Sequence, residues 1–137
     1  MDTNELIIDA EVSNLPQVIG FIEEQLESVH CGPKDLMQVG VAVEEVFVNI
    51  AHYAYAPGKG QAAVRVEVSD DPSYILITFS DCGSPFDPLS RQDPDVGVPV
   101  SDREIGGLGI FMTKKLMDDV TYEYKDGKNI LKLKKKL

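Results

Sequence analysis

Two rhythms of hydrophobic and polar positions run along this chain. Val18, Ile19, Ile22, Leu26 and Val29 recur at helical spacing with Glu23, Glu24 and Glu27 between them, predicting a first helix that ends near Cys31-Gly32. Asn14-Leu15-Pro16 punctuates its start, with Ser13 as the candidate N-cap. A second, longer helix is predicted over Asp35–Tyr55, where Leu36, Val39, Val43, Val46, Phe47, Ile50 and Ala54 form an apolar stripe. Pro33 suits its first turn. The other rhythm has period two. Val64, Val66 and Val68 alternate with Arg65, Glu67 and Ser69, and Ile75, Ile77 and Phe79 follow a turn at Asp70-Asp71-Pro72-Ser73. Val120, Tyr122 and Tyr124, then Leu131 and Leu133 among lysines, predict a closing hairpin turned by Asp126-Gly127. Glu5–Ala10 alternates weakly and reads as a short first strand.

Between Asp81 and Ile105 the periodicity stops, and Pro85, Pro88, Pro94 and Pro99 break the chain repeatedly. An aperiodic stretch of that length inside a small domain is usually a lid or binding loop. Ile110–Asp118 then resumes a helical pattern through Ile110, Met112, Leu116 and Met117. The order β-α-α-β-β-lid-α-β-β, with one-sided strands, predicts an α+β fold. Its form is a two-layer sandwich, a mostly antiparallel sheet covered on one face by helices. One domain over residues 1–137 accounts for the whole pattern.

The long helix has an unusual second face. Opposite its apolar stripe stand Val41, Glu45, Val48, Asn49 and His52, a mixture that calls for a cover, either another element or a ligand with an apolar plane and a charged end. Glu45 and Asn49 are one turn apart on that face. A carboxylate can polarise a hydroxyl, and a neutral amide oxygen suits Mg²⁺. The same pair would also serve as hydrogen-bonding groups in a helix packed on both sides.

Composition narrows the field. With 43% hydrophobic residues the chain can bury one core, and with 13 basic against 23 acidic residues its formal charge is −10. Such a balance argues against nucleic acid as a partner. The basic group Lys132, Lys134, Lys135 and Lys136 reads as the solvent face of a last strand that resists edge pairing. No apolar run reaches the roughly 18 residues of a membrane span, and the first residues lack a signal-peptide layout, so a cytoplasmic protein is expected. Cys31 and Cys82 lie far apart with no Cys/His cluster, which predicts free thiols and no zinc site.

Two glycine-containing stretches carry further chemistry. Asp81-Cys82-Gly83-Ser84-Pro85-Phe86-Asp87-Pro88 follows a strand. Its carboxylate can accept from an exocyclic amine such as N6 of adenine while Gly83 leaves room for a flat ring, or it can simply cap its own turn. Gly106-Gly107-Leu108-Gly109 precedes a helix, where backbone N–H groups and the helix dipole meet an anion, or where the glycines form a hinge. Neither the dinucleotide fingerprint nor the P-loop pattern is present.

Taken together and in order, these stretches resemble the GHKL ATPase superfamily, the ATP-binding domain shared by gyrase, histidine kinases and MutL. Within it the chain is most similar to the small anti-sigma-factor serine kinases of the RsbW/SpoIIAB type. EEVFVNIAHYAY resembles the N box, DCGSPFDP the first glycine box and GGLGIFMTKKLMDDV the second. The resemblance implies Glu45 as general base and Asn49 as Mg²⁺ ligand. It implies an ATP site built from Asn49, Asp81, Gly83, Pro85, Gly106, Gly107, Leu108 and Gly109 under a lid over about residues 84–105. It implies a serine-protein kinase that uses Mg-ATP to phosphorylate an anti-sigma-factor antagonist and that sequesters a sigma factor as a homodimer. A non-kinase ATP-binding regulator and a simple ATP hydrolase are the alternatives. The chain departs from the pattern twice. Tyr53 stands where a histidine is frequent, with His52 one place earlier, and Gly127-Lys128-Asn129 replaces a Gly–Thr pair. The sequence leaves open whether Asn129 takes over the threonine contact. His30 and His52 lack the surroundings of a phospho-accepting histidine.

Overall fold

The computed structural model describes residues 2–27, 31–55, 58–70, 73–84, 113 and 115–137. Five strands form one antiparallel sheet in the order β1-β2-β3-β5-β4: β1 Asp2–Asp9, β2 Gln61–Asp70, β3 Ser73–Asp81, β4 Asp119–Lys125 and β5 Lys128–Lys136. Two helices, α1 Leu15–Leu26 and α2 Pro33–Asn49, contribute to a single core with one face of that sheet. The fold is the expected two-layer α+β sandwich.

Alternation decides which side of each strand is buried. Val64 and Val66 of β2, Ile75, Ile77 and Phe79 of β3, and Leu131 and Leu133 of β5 all join the core. From the helices come Val18, Ile22 and Leu26, and Val39, Val43, Val46 and Phe47. Full burial of a side chain of this kind contributes roughly 1.5–3 kcal/mol, so register is strongly set. A slip of one residue would put each valine of β2 into water. The β4–β5 turn has Asp126 at φ 55° and Gly127 at φ 76°, the pair of positive values that a two-residue hairpin with right-handed twist requires.

Several boundaries differ from the periodic reading. β1 begins at Asp2, because main-chain pairing with β2 extends beyond the alternating side chains. α1 ends at Leu26 with Glu27 as its C-cap, short of Cys31. At its start Asn14, and not Ser13, is the N-cap, and its amide donates to the Asp9 carbonyl at 3.0 Å. Pro33 opens α2 as expected. The α-helical backbone of α2 stops at Asn49 and the chain continues in a wider π turn, Ile50–Ala54.

The largest correction concerns Lys135. β5 is not an edge strand but lies between β3 and β4, and the edges are β1 and β4. Lys135 shares the face of Leu131 and Leu133 and is 8% exposed. Its ammonium donates to the Leu116 carbonyl at 3.2 Å and faces Asp35 of α2 at 3.8 Å. A lysine survives at a core position when a carbonyl and a carboxylate meet its charge. Lys132, Lys134 and Lys136 occupy the uncovered face of the same strand.

Candidate functional site

The site is assembled from the last turns of α2 and the end of β3. On α2, Val39, Val43, Val46 and Phe47 turn into the core, which leaves Glu45 half-buried on the flank. Asn49, one turn later, is 5% exposed. Burial, followed by the neighbouring Glu44 carboxylate, raises the Glu45 pKa above its ordinary value of 4.5. A carboxylate shifted in that direction is a better proton acceptor once ionised. The Asn49 amide nitrogen is buried and makes no hydrogen bond among the described residues. Leaving such a donor unmet costs about 1–3 kcal/mol. The terminal amide torsion is roughly two-fold, so the same group can present its oxygen instead. A buried amide whose nitrogen finds no partner among the described residues, one turn from a half-buried carboxylate, fits a site for a hydrated cation and phosphate oxygens.

Asp81 ends β3 on the same face as Phe79, that is, toward the helices, and is 6% exposed. Its Oδ1 accepts from the Gly83 N–H at 2.9 Å and from Asn129 Nδ2 at 2.9 Å. Asn129 sits directly across from Asp81 in the β3–β5 register. The Asn129 amide also donates to the Ser84 carbonyl at 2.8 Å and accepts from the Tyr122 hydroxyl. Two donated bonds, one of them to a carbonyl, fix which end of the amide is nitrogen. Asp81 therefore caps its own turn through Oδ1, while Oδ2 takes neither of these bonds. The self-capping turn and the ligand anchor are compatible readings of one carboxylate.

The two halves are joined at their ends. The Ser84 N–H donates to the Ala54 carbonyl at 2.9 Å, and the Cys82 N–H donates to the Tyr55 hydroxyl at 2.8 Å. A Cβ built on Gly83 would stand 2.0 Å from the Ala54 carbonyl oxygen. The nearest group at this glycine is thus protein backbone. Burial pushes the Tyr55 phenol above its usual pKa, so it stays protonated at neutral pH. Cys31 and Cys82 are free thiols. An open depression of about 360 Å³ lies on the uncovered face of the sheet around Arg65, Thr78 and Lys132, opposite the face that carries Asp81.

Through Ala54 and Tyr55 the segment that follows Glu45 and Asn49 is thus joined to the loop that follows Asp81. Pro85, Gly106, Gly107, Leu108 and Gly109, and the expected lid apart from Ser84, lie outside the described residues. Sequence reasoning placed Tyr55 and Tyr122 in elements but gave neither a role at the site, and it missed Thr113, which is fully buried with a hydroxyl that has no partner among the described residues. Among the described residues no group of three or more His, Cys, Asp or Glu could hold a metal.

Comparison with known proteins decides the family. The model of the histidine kinase-like ATPase domain matches residues 8–135. The chain belongs to that family. Among curated members, this histidine kinase-like ATPase domain is 32% identical over 98 residues to the serine-protein kinase RsbW of Listeria monocytogenes, covering 69% of this chain and 62% of the relative. It is 26% identical over 102 residues to the serine-protein kinase RsbW of Bacillus cereus, covering 73% and 64%. The chain thus spans less than two thirds of the length of these relatives. Of solved structures, the RsbU and RsbW domains of a Mycobacterium tuberculosis protein superpose with a TM-score of 0.70 at 16% identity, over 100% of this chain and 33% of that one. The SiaB–SiaC complex of Pseudomonas aeruginosa gives 0.57 at 16% identity, over 96% and 89%. These structural likenesses extend the ATPase domain's fold across nearly the full chain.

Proposed function

We propose that this ATPase domain binds Mg-ATP between the end of α2 and the end of β3 and transfers the γ-phosphoryl to a serine of a small anti-sigma-factor antagonist. The observation that carries the reading is the buried Asn49 amide one turn from Glu45, its nitrogen without a partner among the described residues. Family membership supplies the nucleotide. The relatives' name, serine-protein kinase, supplies the reaction class.

In this reading Asp81 Oδ2 accepts from the exocyclic amine of adenine, with Gly83 and Pro85 beside the ring. Gly106, Gly107, Leu108 and Gly109 turn their N–H groups to the phosphates under the lid. Asn49 holds a Mg²⁺ whose contribution is to neutralise charge on the phosphates. Glu45 takes the proton of the acceptor serine as its oxygen attacks the γ-phosphorus, and the bond to the β,γ-bridging oxygen breaks, leaving ADP. A homodimer in the cytoplasm that also sequesters a sigma factor completes the proposal.

The test is incubation with ATP labelled at the γ-phosphate, Mg²⁺ and a candidate antagonist. Labelled antagonist supports the kinase. Free phosphate alone would make the chain a hydrolase, and bound but unconsumed ATP would make it a non-catalytic regulator.

A further inference from the structure

A set of contacts between the end of α2 and the loop after β3 is used by none of the steps above. The Tyr55 hydroxyl donates to the Gln61 carbonyl at the start of β2 and accepts from the Cys82 N–H at 2.8 Å. One residue earlier, the Ala54 carbonyl accepts from the Ser84 N–H at 2.9 Å. One phenol therefore ties together the end of the helix, the start of one strand and the exit of the next. Two glycines permit the approach. A Cβ on Gly60 would lie 2.3 Å from the Tyr55 ring, and one on Gly83 would lie 2.0 Å from the Ala54 carbonyl oxygen. The residues pinned in this way flank Asp81, whose own Oδ1 holds the Gly83 N–H. The π turn Ile50–Ala54 sits between Asn49 and this clasp. A widened turn of that type changes the direction in which a helix end delivers its residues, and it recurs at functional sites.

We infer that Tyr55 is a positioning residue of the nucleotide site. It fixes the loop that would hold the base, Asp81–Ser84, relative to the helix that would hold metal and phosphates, Glu45–Asn49. The inference rests on the nucleotide reading given above. Its physical content is that the hydroxyl, and not the ring, registers one half of the site against the other. Cys82 is exposed, so its N–H can turn to water when the hydroxyl is removed. The loop then loses this tie, keeping the bond from Ser84 to Ala54, without a buried donor being stranded. Loss of a single neutral hydrogen bond corresponds to a roughly three- to tenfold change in an equilibrium constant.

The experiment titrates the full chain calorimetrically with adenosine, Mg-tripolyphosphate and Mg-ATP, first as wild type and then as Tyr55→Phe. The phenylalanine keeps the ring and its packing, and circular dichroism checks that the fold is retained. Gly60→Ala is the second variant, since its added Cβ displaces the ring and carries the hydroxyl away from the Cys82 N–H. The expected result is adenosine and Mg-ATP weakened about three- to tenfold in both variants, with Mg-tripolyphosphate unchanged. Equal adenosine affinity in wild type and Tyr55→Phe overturns the role of the hydroxyl. Equal losses for all three ligands overturn it too, since they would mean general loosening. A wild-type chain that binds none of the three ligands removes the nucleotide reading, and the inference falls with it.

Discussion

Asn129 Nδ2 stands 2.9 Å from Asp81 Oδ1, so the last strand of the chain places a donor on the one carboxylate that ends β3. The same amide reaches the Ser84 carbonyl at 2.8 Å. Asn129 thus makes a side-chain contact where the family pattern has threonine, and it braces both Asp81 and the following loop. Asn129→Ala is expected to cost about 1–3 kcal/mol of stability and to weaken ATP binding. Urea titration with and without nucleotide separates the two effects. Unchanged values on both axes would mean that the brace is not used.

Glu45 links stability to pH in a direction that can be worked out. Its folded-state pKa lies above the ordinary 4.5, chiefly through burial and then through Glu44. Between the unfolded and folded values the native state holds more protons than the unfolded state, so stability falls as pH rises through that window. Glu45→Gln removes the charge, so it should melt higher than wild type at pH 7, with the difference shrinking as the pH falls through that window and gone below about 4.5. It should also retain nucleotide while losing phosphoryl transfer. Turnover by this variant at the wild-type rate would strip Glu45 of the base role.

Asn49→Ala should separate stability from binding. The amide nitrogen has no partner among the described residues, so truncating it removes an unmet donor and should leave the ligand-free melting temperature close to that of wild type. At about 100 times its Kd, Mg-ATP should add roughly 2.7 kcal/mol to the wild-type chain. The variant should lose most of the Mg²⁺-dependent part of that gain. Scanning calorimetry with and without EDTA reads both quantities, and a variant that keeps the full Mg²⁺ response would exclude Asn49 as the ligand.

Lys135 offers a test of the fold itself. Lys135→Ala deletes the aliphatic stem and the bond to the Leu116 carbonyl, and should cost roughly 1.5–3 kcal/mol, the range for a hydrogen bond to a charged group. Lys135→Met keeps the stem and removes the charge, and should recover part of that loss, since apolar replacements of buried ions are often neutral. Chemical denaturation of the two variants at equal pH decides. If both match wild type, the ammonium is not engaged in solution.

The degree to which the chain could be read in advance followed the range of the forces involved. The valines of β2 and the stripe Val39, Val43, Val46 and Phe47 were legible because burial imposes its period locally. The Asp126-Gly127 turn was legible because only such residues accept positive φ in sequence. Lys135 was misread because its partners Asp35 and Leu116 come from other elements, and nothing beside it in the chain announces them. Asn129 and Asp81 are 48 positions apart and meet through β3–β5 register alone. Glu45 and Asn49 needed only helical spacing. Tyr55 needed knowledge of a π turn, which has no local signature, and of two glycines on separate segments.

The interior place of β5 ties the closing of the sheet to the turn after β3. β5 pairs with β3 and β4 at once, and it is this strand that brings Asn129 to Asp81. Nascent or partly unzipped forms without β5 would carry an Asp81 turn with no amide to steady it. Docking of β5 is therefore what completes the Asp81 turn as well as the sheet.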